Sequence, residues 1–266
     1  MGKKSSRTRA RRNVSIEEVR LQKTSYEYPS VILSLCIIIC LVIAANVRNR
    51  IYKTPVSMWA DTTLKSPIKR RVHENLGQAL STAGLYNDAM REFKTVLSLR
   101  DDGSVPLRDL YREIGVVYFR VGMFDDAITS WQTGLRYAPF DASLLNNLSI
   151  AFLKKGRLDE AAANARMALS SAPGMPQALN TLGEVLMSQG DYDKAAECFL
   201  KAIQNAPEDK NKYWNAALAL AKAGKPDMAY QYMNRYAAME PDPAGRQRAL
   251  LIMNSLRKPS SGGNGP

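Results

Sequence analysis

The amino-acid sequence predicts an all-α protein in which pairs of helices stack as a solenoid behind one N-terminal apolar helix. Two observations support this prediction. A pattern of small residues occurs five times along most of the 266-residue chain, at nearly constant spacing. An uncharged apolar segment, from Val31 to Val47, precedes the first of these repeats.

The composition of the chain excludes several classes of protein. A hydrophobic content of 45% with 16 Gly and 13 Pro is typical neither of a disordered chain nor of a collagen. The only histidine is His73, which leaves no second histidine for a His-rich metal site or an ordinary catalytic triad. Two of the three cysteines lie in the apolar segment, which excludes a disulfide framework. We therefore expect no metal, no cofactor and no enzymatic activity.

Residues 1–28 form a basic arm, with eight Lys and Arg against three Glu. Cytoplasmic flanks of membrane spans carry such an excess of positive charge. The arm therefore predicts a cytoplasmic N-terminus, with everything after Val47 on the other side of the membrane. Membrane topology and anionic lipid headgroups account for the charge, so we expect no nucleic-acid partner.

Residues 29–48 are predicted to be a transmembrane helix that contacts the lipid bilayer through Val31–Val47. The apolar stretch is at the short end of the roughly 17–25 residues that cross a bilayer. A cleaved signal peptide is the alternative, since Ala44 and Ala45 offer small residues to a peptidase. The long polar arm favours an uncleaved anchor, because a whole signal peptide usually spans only about 15–30 residues. The predicted location is a bacterial inner membrane with the repeats in the periplasm.

Five segments share the repeated pattern, and each one predicts a pair of helices. The first small position holds Gly77, Gly115, Ser149, Gly183 and Ala217. The second small position holds Ala89, Ala127, Ala161, Ala195 and Ala229. Between these positions lie Gly84, Gly122, Gly156, Gly190 and Gly224. Four units end at Pro139, Pro173, Pro207 and Pro241. The glycine between the small positions suits a turn, the small residues permit close helix packing, and the proline ends the second helix.

This pattern resembles the tetratricopeptide repeat, a helix-turn-helix unit of about 34 residues. The resemblance covers residues 70–243 and implies five repeats in a right-handed α-α superhelix. A narrower likeness concerns the segment Arg48–Gly77, which resembles the junction before the C-terminal repeats of polytopic O-mannosyltransferase-like membrane proteins. The catalytic part of those proteins has no counterpart here, so this likeness implies topology rather than transferase activity.

The two ends of the array are predicted to be capped. Residues 49–69 are expected to contain a linker and a capping helix over Pro55–Lys65, which includes Trp59. Residues 244–257 are expected to form a C-terminal capping helix, because a solenoid otherwise exposes the apolar face of its last repeat. Residues 258–266 are rich in Gly, Ser and Pro and are predicted to be a flexible tail.

The family resemblance implies that the first helices of the repeats line a concave groove for a protein or peptide. Asparagine amides suit a peptide backbone, and cationic side chains suit carboxylates. The candidate partner-binding residues are Asn75, Arg112, Arg120, Asn146, Asn147, Lys154, Asn180, Asn215 and Lys222. The alternative is that these asparagines only bond neighbouring helices and that the charges face solvent. His73, at the start of the first repeat, is expected to be exposed.

The predicted function is a membrane-anchored scaffold for protein–protein interaction. The alternative is an accessory subunit of an envelope glycan-transfer or biogenesis machine. The two differ in the partner that they would hold, and no residue pattern in the chain identifies that partner.

Overall fold

The structure is a computed structural model that describes residues 31–50 and 52–257. These residues form thirteen helices, and none of them lies in a β-strand. The chain divides after Pro67 into an N-terminal unit and a repeat unit. The predictions for the basic arm and for the C-terminal tail concern residues outside the described part.

The N-terminal unit contains two helices, α1 (Val31–Arg50) and α2 (Pro55–Lys65). Helix α1 has 20 residues, about 30 Å at 1.5 Å per residue, and it is long and apolar enough to cross a membrane. It continues to Arg50, past the predicted end at residue 48. Helix α2 begins at a capping box, in which Thr54 and Ser57 bond reciprocally. It occupies the predicted capping segment, but its role as a cap stays a prediction.

The repeat unit consists of five helix pairs and a final helix. The first helices are α3 (Arg70–Thr82), α5 (Leu107–Arg120), α7 (Ala142–Lys154), α9 (Pro176–Gln189) and α11 (Lys210–Lys222). The second helices are α4 (Tyr86–Ser98), α6 (Phe124–Tyr137), α8 (Leu158–Ser171), α10 (Tyr192–Asn205) and α12 (Pro226–Met239). The final helix is α13 (Pro243–Arg257). Each helix packs against the next along the chain, which confirms the predicted all-α solenoid.

The turn inside each repeat depends on its glycine. Gly190 ends α9 with a φ of 84°, a left-handed conformation that side chains other than glycine rarely adopt. The N–H of Asp191 then donates to the carbonyl of Leu186 at 3.0 Å and closes the helix end. The equivalent glycines also have positive φ: Gly84, Gly122, Gly156 and Gly224.

The small residues of the first helices allow aromatic rings of the second helices to pack directly on the backbone. A Cβ atom at Gly77 would lie 2.5 Å from the ring of Phe93, and one at Gly183 would lie 2.6 Å from the ring of Phe199. Both rings are fully buried. The third repeat has the opposite combination, with the larger Ser149 opposite the smaller Ala165 at the same register. The two helices of a repeat thus approach closely, as predicted, because a small residue on the first helix faces an aromatic ring of the second.

His73 differs from the prediction of an exposed side chain. It is only 9% exposed, and its Nδ1 lies 2.6 Å from Oε2 of Glu92 on α4. The prediction was wrong because the partner is contributed by the second helix of the same repeat, 19 residues away in sequence.

Glu240 joins the last repeat to the final helix. Its carboxylate accepts bonds from Nζ of Lys210 at 2.8 Å and from the hydroxyl of Tyr236 at 2.5 Å, and Arg246 donates to its backbone carbonyl at 2.8 Å. The hydrogen bond from Lys210 is the largest cause of a Glu240 pKa that is lowered to about 2. Helix α13 buries Ala249 and Met253 in the main core, and its role as a cap stays a prediction.

Candidate functional site

The first helices of the repeats form the inner face of the repeat unit. Helix α3 contacts α5, and α9 contacts both α7 and α11, whereas successive second helices have no comparable contact within the described residues. The array therefore curves towards the first helices. Side chains three and seven positions apart share one face of a helix, so three registers point inwards from each repeat.

The first opening on the inner face lies between repeats one and two, and we call it the repeat 1–2 pocket. It has a volume of about 600 Å³. Its lining residues are Gln78, Ser81, Thr82, Tyr86, Arg112, Glu113, Val116 and Arg120. The lining is mainly polar, and it includes two of the predicted cations.

The second opening lies across repeats three to five, and we call it the repeat 3–5 pocket. It has a volume of about 410 Å³. Its lining residues are Leu153, Lys154, Glu184, Met187, Ser188, Phe199, Asn215 and Leu218. Apolar side chains thus contribute half of this lining, and the predicted Lys154 and Asn215 lie among them.

Arg112 is engaged by carboxylates of its own helix. Its Nη1 lies 2.6 Å from Oδ1 of Asp109, and its Nη2 donates to Oε1 of Glu113 at 3.5 Å. Burial raises the pKa of Glu113, and burial also raises the pKa of Glu74 on the neighbouring helix α3. Arg112 is therefore paired with two partly buried carboxylates of its own helix, so a ligand would have to share it.

Asn180 and Asn215 are bonded to each other across repeats four and five. Nδ2 of Asn215 donates to Oδ1 of Asn180 at 3.0 Å, and Nδ2 of Asn180 donates to Oε1 of Glu184 at 2.7 Å. These bonds support the alternative interpretation, in which asparagines join neighbouring helices. They also hold both amides in place, and within the described residues they leave Oδ1 of Asn215 and one N–H of Asn180 unused.

Arg120 and Lys154 occupy the same register in repeats two and three, and both side chains are exposed. Neither forms an ion pair or a side-chain hydrogen bond with the described residues. Lys222 has this register in repeat five, where its Nζ lies 5.1 Å from the centroid of the Tyr192 ring. Within the described part of the chain, the inner face therefore has two cations without a partner in neighbouring repeats.

Four of the five predicted asparagines lie outside the lining of both pockets, namely Asn75, Asn146, Asn147 and Asn180. Asn75 and Asn147 are half-buried on the inward register but lie outside the lining of both pockets. Asn146 departs from the prediction, since its side chain is 5% exposed and its buried Oδ1 has no hydrogen-bond partner in the described part. A helix turns by about 100° per residue. Asn146 therefore faces the interior while Asn147 beside it faces the groove.

Twelve of the sixteen lining residues were not predicted, because only asparagines and cations were expected to bind a peptide. Four of the twelve occupy one register, one turn of helix after that of Asn75 and Asn215, and these are Gln78, Val116, Glu184 and Leu218. Spacing by one helical turn is a signal that identifies them from sequence.

The chemistry of the remaining reactive side chains is limited. Burial raises the pKa of the Cys198 thiol, which keeps it protonated at neutral pH. Among residues 31–50 and 52–257, no group of three or more His, Cys, Asp or Glu is placed to hold a metal ion.

The fold of the repeat unit is a solenoid of the tetratricopeptide-repeat type. Two family profiles, both described as tetratricopeptide repeat, match residues 112–176 and 176–209. The helix pairs within residues 112–209 thus match the tetratricopeptide-repeat model, and the other pairs of the repeat unit share the same helix-turn-helix architecture. The profile matches do not include Arg48–Gly77, so the likeness of that junction to O-mannosyltransferases stays a prediction. No curated protein sequence matches the chain significantly.

Solved structures share the fold at low sequence identity. The APC/C hetero-tetramer Cut9–Hcn1 aligns with a TM-score of 0.65 at 16% identity, over 75% of this chain and 38% of the other. PilF of Pseudomonas aeruginosa aligns with a TM-score of 0.61 at 22% identity, over 70% and 82%. YrrB, described as a TPR protein with an unusual peptide-binding site, aligns with a TM-score of 0.53 at 19% identity, over 73% and 97%. The chain spans little more than a third of the Cut9–Hcn1 chain, and these likenesses concern the fold alone.

Proposed function

We propose that this protein is a membrane-anchored scaffold whose inner groove binds an extended peptide segment of a partner protein. The observation that carries the proposal is that two pockets open on one face of the array. Their linings combine the fixed amide of Asn215, apolar side chains, and two cations, Arg120 and Lys154, that have no ion-pair partner among the described residues. A rigid repeat scaffold presents such groups along a line, which is the geometry that an extended chain requires.

The asparagines would bind the peptide backbone. The unused Oδ1 of Asn215 accepts a backbone N–H, and the unused N–H of Asn180 donates to a backbone carbonyl. Because Glu184 and the two amides already hold one another in place, little rotamer entropy is lost on binding. Asn147 has the register of Asn215 two repeats earlier and would offer a further amide to the groove.

The proposal is tested by capture of partners with full-length protein from detergent-solubilised membranes. Asn147→Ala with Asn180→Ala should weaken capture, because peptide groups lose their partners. Adding Arg112→Glu and Lys154→Glu should reduce capture to background. The loss of capture relative to wild type should be larger at low salt than at high salt. Arg166→Glu on α8 is the matched control, since this exposed cation lies on a second helix. Unchanged capture by the quadruple variant would reject the groove.

The location of the scaffold is also part of the proposal. Helix α1 is proposed to be an uncleaved anchor in a bacterial inner membrane, with the basic arm in the cytoplasm and the repeats in the periplasm. A topology reporter fused after Pro266 should be active only outside the cytoplasm. Cytoplasmic activity would overturn the orientation, and a mature N-terminus near Asn46 would show that α1 is a cleaved signal.

The second candidate, an accessory subunit of an envelope glycan-transfer or biogenesis machine, is a special case of the same proposal. It is supported by the likeness of the Arg48–Gly77 segment to the junction in polytopic transferases. A polytopic membrane enzyme in the captured material would favour it, and capture of soluble proteins alone would count against it.

A further inference from the structure

One wall of the repeat 1–2 pocket is polar at a register that is apolar in every later repeat. Ser81 lies on the last turn of α3 and lines the pocket. At this register the later repeats have Phe119, Leu153, Met187 and Ala221. Gln78, one turn before Ser81, is an amide where the third repeat has Ile150. Both polar side chains are partly buried, so the first repeat presents hydrogen-bonding groups where the third repeat has apolar ones.

Several hydrogen-bonding groups of this pocket are available to a ligand. The hydroxyls of Ser81 and Tyr86 and the guanidinium of Arg120 form no hydrogen bond or ion pair within the described part of the chain. Oε1 of Glu113 accepts from Nη2 of Arg112 at 3.5 Å, which leaves Oε2 of the same carboxylate to accept from a ligand. The lining therefore offers donors and acceptors side by side.

The charges of the lining favour a neutral ligand. Glu113 lies in the same lining as Arg112 and Arg120. An acidic ligand would bring its charge close to Glu113, and a basic ligand would bring its charge close to the two arginines, and like charges that meet in a site reduce affinity. A neutral ligand whose groups both donate and accept can bond the carboxylate and the guanidinium together.

The size and the polarity of the pocket narrow the class of ligand further. Its walls, α3 and α5, contact each other, and the volume of about 600 Å³ is typical of a small-molecule site. Such sites are usually lined by apolar side chains, whereas only Val116 and the ring of Tyr86 are apolar here. A ligand that suits this lining has many hydrogen-bonding groups and a small apolar face. Saccharides have this composition, because nearly every ring carbon has a hydroxyl group and the ring faces present C–H groups.

We infer that the repeat 1–2 pocket binds a neutral mono- or disaccharide. The sugar hydroxyls donate to Glu113 and accept from Arg120 and Ser81, and one face of the sugar ring packs on Tyr86. This inference goes beyond the proposed function, since it gives this pocket a ligand of its own, while the amides of Asn180 and Asn215 bind the peptide.

The test is saturation-transfer nuclear magnetic resonance on the full-length protein in phospholipid nanodiscs, which contain no sugar headgroup. The probes are the neutral disaccharides maltose, cellobiose and lactose, the acidic digalacturonic acid and the basic dimer of glucosamine. At least one neutral disaccharide should bind about tenfold or more tightly than both charged probes. Binding of no neutral disaccharide would overturn the inference.

A double variant locates the binding. Gln78→Ile with Ser81→Leu introduces the residues that the third repeat has at these registers, so the helix pair should stay folded. This variant should bind the neutral disaccharide at least about tenfold more weakly, with unchanged helical circular dichroism and melting temperature. The matched control is Ser170→Leu with Gln204→Ile, two exposed residues of α8 and α10, and it should bind as the wild type does. Equal binding by both double variants would overturn the inference.

The charge argument has its own test. Glu113→Gln keeps an oxygen that accepts from Arg112 but removes the negative charge, so digalacturonic acid should bind at least about tenfold more tightly than to the wild type. No gain for the acidic probe would reject the role of Glu113 in the selection. If peptides rather than sugars depend on Gln78 and Ser81, the pocket is part of the peptide groove, and the inference fails while the proposed function stands. Partner capture through Asn147 and Asn180 is measured separately, so its loss or retention tests the proposed function alone.

Discussion

The contact between Gly183 and Phe199 offers a direct test of how a repeat closes. Gly183 on α9 faces the ring of Phe199 on α10, and a Cβ atom added there would lie 2.6, 2.8 and 2.9 Å from three ring carbons. Favourable contacts between carbon atoms lie near about 3.5–4.0 Å. The ring is 1% exposed and cannot move outwards, so Gly183→Ala must separate the two helices.

The expected cost follows from two opposing effects. Overpacking of a core usually costs about 1–3 kcal/mol, while replacement of a helical glycine by alanine regains about 0.5–1 kcal/mol. Gly183→Ala should therefore destabilise by about 0–2.5 kcal/mol. Phe199→Ala alone should cost about 3–5 kcal/mol through the cavity. In that background Gly183→Ala should be neutral or stabilising, because the added methyl group enters vacated space.

The four proteins of this cycle are compared by urea unfolding of the full-length chain, followed by far-ultraviolet circular dichroism. The free-energy difference is taken from midpoints at constant slope. A coupling of about 1–3 kcal/mol between the two positions is expected, as for residues in direct contact. The third repeat supports this, since Ser149 stands opposite Ala165. Equal destabilisation by Gly183→Ala in both backgrounds would refute the explanation.

Two further predictions concern the C-terminal end of the array. The pKa of Glu240 is about 2, below its ordinary 4.5, so its bonds stabilise the fold above pH 4.5 and the effect is lost as the pH falls towards 2. Glu240→Gln should therefore lower the midpoint of urea unfolding at neutral pH. The difference in midpoint between this variant and wild type should disappear between pH 4.5 and 2. An equal difference at every pH would contradict this explanation. Deletion of residues 244–257 together with the tail should cause aggregation in size-exclusion chromatography, because α13 covers the apolar end of the last repeat. Removal of residues 258–266 alone is the control, and a monomeric product of the longer deletion would reject the capping role.

Part of the candidate site could be predicted from the sequence. The family resemblance and their position on the first helices identified Arg120 and Lys154 as candidates, and both line a pocket on the inner face, while their binding role stays a prediction. Asn146 was misassigned because two neighbouring asparagines suit the same motif, and only the angle between them decides which one faces the groove. Glu184 was missed because a carboxylate does not resemble a peptide-binding group until its bonds to Asn180 and Asn215 are seen.

The sequence by itself determined the class and the period of the fold. Helical repeats of about 34 residues can bury their apolar faces only by stacking on one another. A glycine at each turn specifies where the chain turns between the two helices of a repeat. Tertiary structure alone decided which polar groups remain available. Asn180 and Asn215 are 35 residues apart in sequence, yet Nδ2 of Asn215 donates to Oδ1 of Asn180, because packing across the first helices brings the two amides within reach. Distances between side chains on different helices are set by how the helices pack. The positions of residues along one helix do not determine these distances.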